Sequence, residues 1–147
     1  QSGKYLHLVT LHPQNRLHSQ LCGVKALRDA TNSNEHEPLW INPADANAHG
    51  IKHGDIVETY NEKGKVYLGA IVSEKVRPGV VASQEGGWYS PSKEACHYGN
   101  ANVLTTDRGT SAWGQGPTAQ TCLVSIKKYQ GKKLTIDCFD GPVVVKG

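Results

Sequence analysis

The chain has 147 residues, 37% hydrophobic and 20% charged, with sixteen basic against thirteen acidic side chains and a formal charge of +3. That length suits one core burying roughly two-thirds of the unfolded surface, and no run approaches the ~18 apolar residues of a membrane span. The mild basic excess suits an anionic ligand without demanding a nucleic acid, whose binders concentrate more charge on one face.

In chain order, KYLHLVTL alternates and is β-prone, which predicts a first strand ending near Leu11. HPQNRLHSQL, His12 to Leu21, is then the polar loop leaving that strand. LCGVKALRDA suits a short helical turn, and TNSNEHEP reads as a polar excursion at the surface that Pro38 ends before Leu39 and Trp40. A well-marked short helix follows, with Asn42 as N-cap, Pro43 at the first helical position, Ala44 to His49 as body and Gly50 as the left-handed stop. DIVETYN and KVYLGAIVS flank NEKG and predict a hairpin, while RPGVVAS offers a turn and a short strand. From Gln84 to Gln120 the chain turns rich in Gly, Ser, Thr and Asn; four aromatic rings there argue for a functional rather than a disordered loop. CLVSIKKY and KLTIDCF close the fold as strands, and VVV near the end adds a short one. The total is mainly β with one or two short helices, best fitted by a small closed barrel.

Several kinds of site are excluded. The chain has no GxxxxGK[ST], GxGxxG, GxSxG or HExxH motif. Gly50 interrupts the helix between His49 and His53, so these two do not share a zinc-binding face. Cys22, Cys96, Cys122 and Cys138 form no CxxC pair and read as free, mostly buried thiols. Ser19 with His12 or His18 is not evidence for a triad, whose members meet in space rather than in sequence. What remains is three loops dense in hydrogen-bonding side chains: Asn15, Ser19 and Gln20; Asn100, Asn102, Thr105 and Thr106; Gln115 and Gln120. Such groups match the edges of a fused nitrogen heterocycle, and Arg16 adds a planar fork for a phosphate or a ring. They equally suit turns that satisfy their own backbone. The opening QSGKYL, without an initiator methionine or signal-peptide architecture, is expected to belong to a longer protein.

HPQNRLHSQL, LWINPADANAHGIKHGDIVETYNEKG, GGWYSP and GNANVLTTDRGTSAWGQG resemble, in order and spacing, the carboxy-terminal domain of the dimethyl sulfoxide reductase family of molybdenum enzymes. Within that family they are most similar to the branch of trimethylamine N-oxide reductases. The resemblance implies a double-psi β-barrel: residues 1–147 as a single molybdopterin-dinucleotide-binding domain of a larger reductase, inactive alone. It implies cofactor contacts through Thr10, Leu11, His12, Pro13, Arg16, His18, Ser19 and Gln20 in the first loop, Asn102 in the second, and Ala119 and Gln120 in the third. For Leu11, Pro13 and Ala119 the backbone would matter. The implied cofactor is molybdopterin guanine dinucleotide, two per enzyme, with molybdenum held by the cofactor and by other domains. The implied reaction is oxygen-atom transfer from an N-oxide or S-oxide. Implied partners are the remaining domains and a c-type cytochrome as electron donor, with neither nucleic acid nor a membrane span. The implied location is the bacterial periplasm, or the cytoplasm for a biotin sulfoxide reductase-like member. Asn42, Asp45 and Asp55 are expected to be structural, and Trp88 and Tyr89 to pack rather than wall the substrate funnel. Trp113, in SAWGQG, departs from the family pattern. Two rival readings stand beside this one, a stand-alone barrel enzyme and a single-stranded nucleic-acid-binding barrel. The main reading requires the three polar loops to face one shared hollow.

Overall fold

The structure, a computed structural model, describes residues 5–93, 95–142 and 145. Among these residues, eight strands, two short α-helices and two 3-10 turns succeed one another. They are β1 (Leu6–Leu11), α1 (Lys25–Asp29), β2 (Pro38–Ile41), α2 (Pro43–Ala48), β3 (Ile56–Tyr60), β4 (Lys65–Val72), β5 (Val80–Gln84), β6 (Pro91–Ser92), β7 (Ala95–Cys96) and β8 (Cys122–Lys128). The 3-10 turns Ala101–Val103 and Ala119–Thr121 precede β8.

Strands β2-β5-β1-β8-β3-β4 are neighbours in that order, and β4 pairs back onto β2, which closes a six-stranded ring. Two of its pairings, β1 with β5 and β2 with β4, are parallel; the other four are antiparallel. This is the double-psi β-barrel that the sequence resemblance implied. Alternation along the strands fills it: Leu6 and Leu8 of β1 and Cys122, Val124 and Ile126 of β8 point inward, where they meet Leu39, Ile41, Val57, Val66, Leu68 and Val81. Each aliphatic side chain so buried contributes about 1.5–3 kcal/mol relative to exposure. β6 and β7 form a small hairpin attached to β4.

Local chemistry explains several elements directly. The Asn42 side chain accepts a hydrogen bond from Ala44 N at 3.0 Å, Pro43 opens α2, and Gly50 (φ +63°) stops it. Asp45 accepts from Gly79 N at 2.8 Å, and Asp55 accepts from Lys52 N at 2.7 Å while pairing with Lys128 at 2.9 Å, so both carboxylates are structural. Asn61 and Gly64 close the β3–β4 hairpin, Asn61 N donating to Gly64 O at 3.1 Å.

Two expectations are corrected. TNSNEHEP is not a surface excursion: Asn34 and Glu35 adopt positive φ at the tip of a tight hairpin, which turns Ser33, His36 and Glu37 into the molecule, where all three are buried. Pro38–Ile41, for which the sequence carried no assignment, is a strand. KLTIDCF is not a strand: β7 takes the edge of β4 that the ring leaves open, and the backbone of this segment joins no ladder. It crosses over β7 through side chains instead. His97 Nδ1 donates to Thr135 O at 2.9 Å, Ser90 Oγ donates to Asp137 Oδ1 at 2.6 Å, and Phe139 stacks on Trp88. Of the expected strand at VVV, Val143 and Val144 lie outside the described residues. The four thiols are free; Cys22, Cys96 and Cys122 are buried, and burial pushes the half-buried Cys138 up to about 12.

His36 is 5% exposed; its Nδ1 donates to Asn34 O at 2.7 Å, and its buried Nε2 has no partner. Burial lowers its pKa, and the bond to Asn34 only partly opposes this. An unfolded histidine takes up a proton near pH 6.5, before the folded one does. Stability tied to His36 is therefore complete above about pH 6.5 and is lost as pH falls below it. His36→Asn preserves the bond to Asn34 and removes the titration. Urea midpoints at pH 7.5 and 5.5 should fall further for the native chain than for the variant; parallel losses would contradict this origin.

Candidate functional site

The ring brings the candidate loops to one edge. Because β1 and β5 run parallel with Leu11 opposite Gln84, the loop after β1 and the segment after β5 leave side by side, and Glu85 N donates to Leu11 O at 3.0 Å. Because β8 runs antiparallel to β1 with Cys122 opposite Leu8, the turn Ala119–Thr121 lies against the outgoing end of β1. Gln120 joins them: its Nε2 donates to Thr10 O at 3.1 Å and to Thr10 Oγ1 at 2.9 Å, while Thr10 N donates to its Oε1 at 3.1 Å. His7 Nε2 also contacts Gln120 O. The amide of Gln120 thus prolongs the β1–β8 ladder.

The second loop sits on the other side of β8. Asn100 Oδ1 accepts from Asn102 N at 2.9 Å and starts the 3-10 turn; Leu104 is buried, and its carbonyl accepts from Asn61 Nδ2 at 2.8 Å. An open cleft of about 310 Å³ is lined by Asn61, Leu104 and Thr106 on this loop's side and by Thr121, Cys122 and Leu123 of the third segment. The three loops are therefore contiguous in the order first, third, second. They share an edge rather than one enclosed hollow, and the first and second loops flank the third without touching in that cleft.

The first loop is anchored from within. Arg16 is buried, and its Nη1 and Nη2 each lie 2.9 Å from one oxygen of Glu37, a paired-fork geometry. Nη2 also donates to Glu85 O at 2.9 Å, and Nε donates to His18 O at 3.0 Å. Burial works against the guanidinium charge, but the bond to Glu37 and its negative charge outweigh that and hold the pKa above the usual value. Tyr98, fully buried, donates to Glu37 Oε1 at 2.8 Å, and Asn32 Nδ2 donates to the Tyr98 hydroxyl at 3.2 Å. Burial, and then the Glu37 charge, raises the Tyr98 pKa, so the phenol stays a donor. Two glycines make room. A Cβ on Gly99 would overlap the Glu37 side chain, and one on Gly86 (φ +76°) would overlap the His18 carbonyl.

Arg16 therefore spends its fork inside the protein, on Glu37 and two carbonyls, and does not present it to a ligand. Pro13 is buried as well. Thr10 and Gln120 bind each other. Leu11, His12, His18, Ser19, Gln20 and Asn102 are exposed, and Ala119 is half-buried. Among the described residues, the side chains of Ser19 and Asn102 make no hydrogen bond. His12 and His18 converge on Glu85. Trp88 stacks on Phe139 and donates from Nε1 to Ser19 O at 2.9 Å, whereas Tyr89 is half exposed rather than packed. Trp113 is 97% exposed at the tip of the loop that Gly109 and Pro117 close. The sequence carries no signal for Glu37 and Tyr98, whose partners are distant in the chain. For Glu85 the one hint is its place directly after a strand and before a Gly-Gly pair.

Residues 6–123 match the family profile described as the molydopterin dinucleotide binding domain. The chain is 48% identical over 143 residues to the trimethylamine-N-oxide reductase of Salmonella typhimurium, an alignment covering 94% of this chain and 17% of that protein. It is 47% identical over 142 residues to the dimethyl sulfoxide/trimethylamine N-oxide reductase of Cereibacter sphaeroides, covering 93% of this chain and 17% of the relative. The chain thus spans 17% of the length of these relatives. Among solved structures, acetylene hydratase from Pelobacter acetylenicus superposes with a TM-score of 0.65 at 17% identity, over 87% of this chain and 18% of that one. That likeness is one of fold.

Glu37→Ala leaves the Arg16 charge buried and unpaired, and should cost about 3–5 kcal/mol in urea denaturation. Replacing both partners, Arg16→Met with Glu37→Leu, should recover part of that loss, since packing can substitute for a buried ion pair but not for the bonds to the His18 and Glu85 carbonyls and from the Tyr98 hydroxyl. Equal losses in the single and double variants would contradict this role.

Proposed function

Because the chain belongs to the molydopterin dinucleotide binding domain family, we propose that its β1/β8 edge forms one wall of a molybdopterin guanine dinucleotide site in a reductase several times its length. The match over residues 6–123, with the exposed Ser19 side chain on that edge and the exposed Asn102 side chain on the adjoining second loop, is the observation that carries this reading. The donor set fits. A pterin or guanine presents alternating donors and acceptors, and a hydroxyl and a carboxamide can each serve as either.

Within this reading the residues divide their work. His12, His18, Ser19, Gln20 and Asn102 offer side chains to the cofactor, and Leu11, Pro13 and Ala119 contribute through their backbone. Thr10 and Gln120 set the spacing between the first and third loops. Arg16 acts from behind, holding the His18 and Glu85 carbonyls and so the shape of the first loop. When bound, the cofactor supplies a molybdenum centre that accepts an oxygen atom from an N-oxide or S-oxide substrate. The chain binds and orients that group and excludes water from one side. Its share of the reaction is binding and positioning, so by itself it is silent. Its partners are the remaining domains of the reductase and a c-type cytochrome as electron donor, and its compartment is the bacterial periplasm. None of its described helices is long and apolar enough to cross a membrane.

Asn102→Ala in the whole reductase removes an exposed amide without disturbing the barrel. Losing one hydrogen bond of about 1 kcal/mol should weaken cofactor binding several-fold and lower molybdenum content. The melting temperature of this chain should stay unchanged. Full molybdenum content in the variant would remove Asn102 from the site.

A further inference from the structure

The first loop and the segment after β5 bring three metal-ligating groups together outside the barrel core. His12 Nδ1 lies 2.7 Å, and His18 Nδ1 2.5 Å, from the same oxygen, Glu85 Oε1. The two rings meet edge to face with centroids 5.1 Å apart, and all three ligand atoms fall within 4.8 Å of one another. Their backbones are not free to drift. Glu85 N is bonded to Leu11 O, and the buried Arg16 donates to the carbonyls of both Glu85 and His18. The Gly86 contact with the His18 carbonyl fixes the approach of one segment to the other.

Two imidazole nitrogens and one carboxylate oxygen are a donor set for borderline divalent metals, zinc, nickel and copper among them. Zinc bonds of about 2.0–2.2 Å place tetrahedral ligand atoms roughly 3.3 Å apart. Each nitrogen must therefore recede from the oxygen by less than about 1 Å. The imidazoles, 77% and 69% exposed, can do this by side-chain rotation, and water takes the fourth position.

We propose that, in the chain without its cofactor, His12, His18 and Glu85 bind one divalent transition-metal ion such as Zn²⁺. The restriction to the cofactor-free chain rests on the reading of this edge as a cofactor wall. The metal titration does not, so the two can fail separately. Calorimetric titration of the chain with ZnCl₂ at neutral pH should show one saturable site. His12→Ala, His18→Ala and Glu85→Gln should each weaken it at least about tenfold, since a direct ligand is worth more than the outer partners whose loss already costs that much. His53→Ala, an exposed histidine elsewhere, should leave the Kd unchanged. Melting temperatures without zinc check that each variant folds. An absence of saturable binding, or a Kd that survives His12→Ala and His18→Ala alike, overturns the proposal.

Discussion

The buried pairing of Arg16 with Glu37, capped by the Tyr98 hydroxyl, is the interaction on which the site edge depends. Through it, four segments distant in sequence are joined: the loop after β1, the hairpin before β2, the segment after β5 and the stretch after β7. Such a pair adds little net stability over a well-packed apolar substitute, because desolvation offsets most of the attraction. What it provides is direction. A guanidinium has donors in fixed positions, and here they also hold the carbonyls of His18 and Glu85, so the shape of an otherwise solvent-exposed loop is set from inside.

The barrel provides the second constraint. The six-stranded ring closes on itself and the β6–β7 hairpin takes the part of β4 that β2 leaves open, so the remaining segments pack on the rims or cover the wall. Parallel β1 and β5 send two loops out together, and antiparallel β8 begins where β1 ends. The clustering of the first and third loops with Glu85 is a consequence of register, and the Thr10–Gln120 bonds extend that register by one rung. The second loop joins through Leu104, whose carbonyl meets Asn61 and Cys122. The result is a continuous polar rim open to solvent along its length, with the cleft between Thr106 and Thr121 at one end.

Where structure follows from near neighbours, it was legible. Asn42, Pro43 and Gly50 cap and stop α2 through their own backbone chemistry, and Asn61 with Gly64 shapes the β3–β4 turn. β1 was legible from alternation, and β5 and β8 from short β-prone runs. β2 was not, since four residues beginning with proline carry too little pattern. Glu37 looked like surface charge because its partner lies 21 residues earlier in the chain, and nothing in NEHEP reports that distance. KLTIDCF has strand composition, yet strand formation needs a partner edge, which is a property of the whole ring. Of the residues implied by family resemblance, Leu11, His12, His18, Ser19, Gln20 and Asn102 are on the open rim. Arg16 and Pro13 are inside, a distinction that residue type alone cannot draw.

Stability and loop shape are separable in this account, which allows the network to be tested without unfolding the barrel. Hydrogen exchange followed by NMR should be compared between the native chain and the Arg16→Met/Glu37→Leu double variant. The Gln20 amide, bonded to Leu17 O in the first loop, should exchange much faster in the variant while the amides of β3 and β4 keep their protection. Unchanged protection at Gln20 would mean that the loop holds its own shape and that the buried pair does not set it.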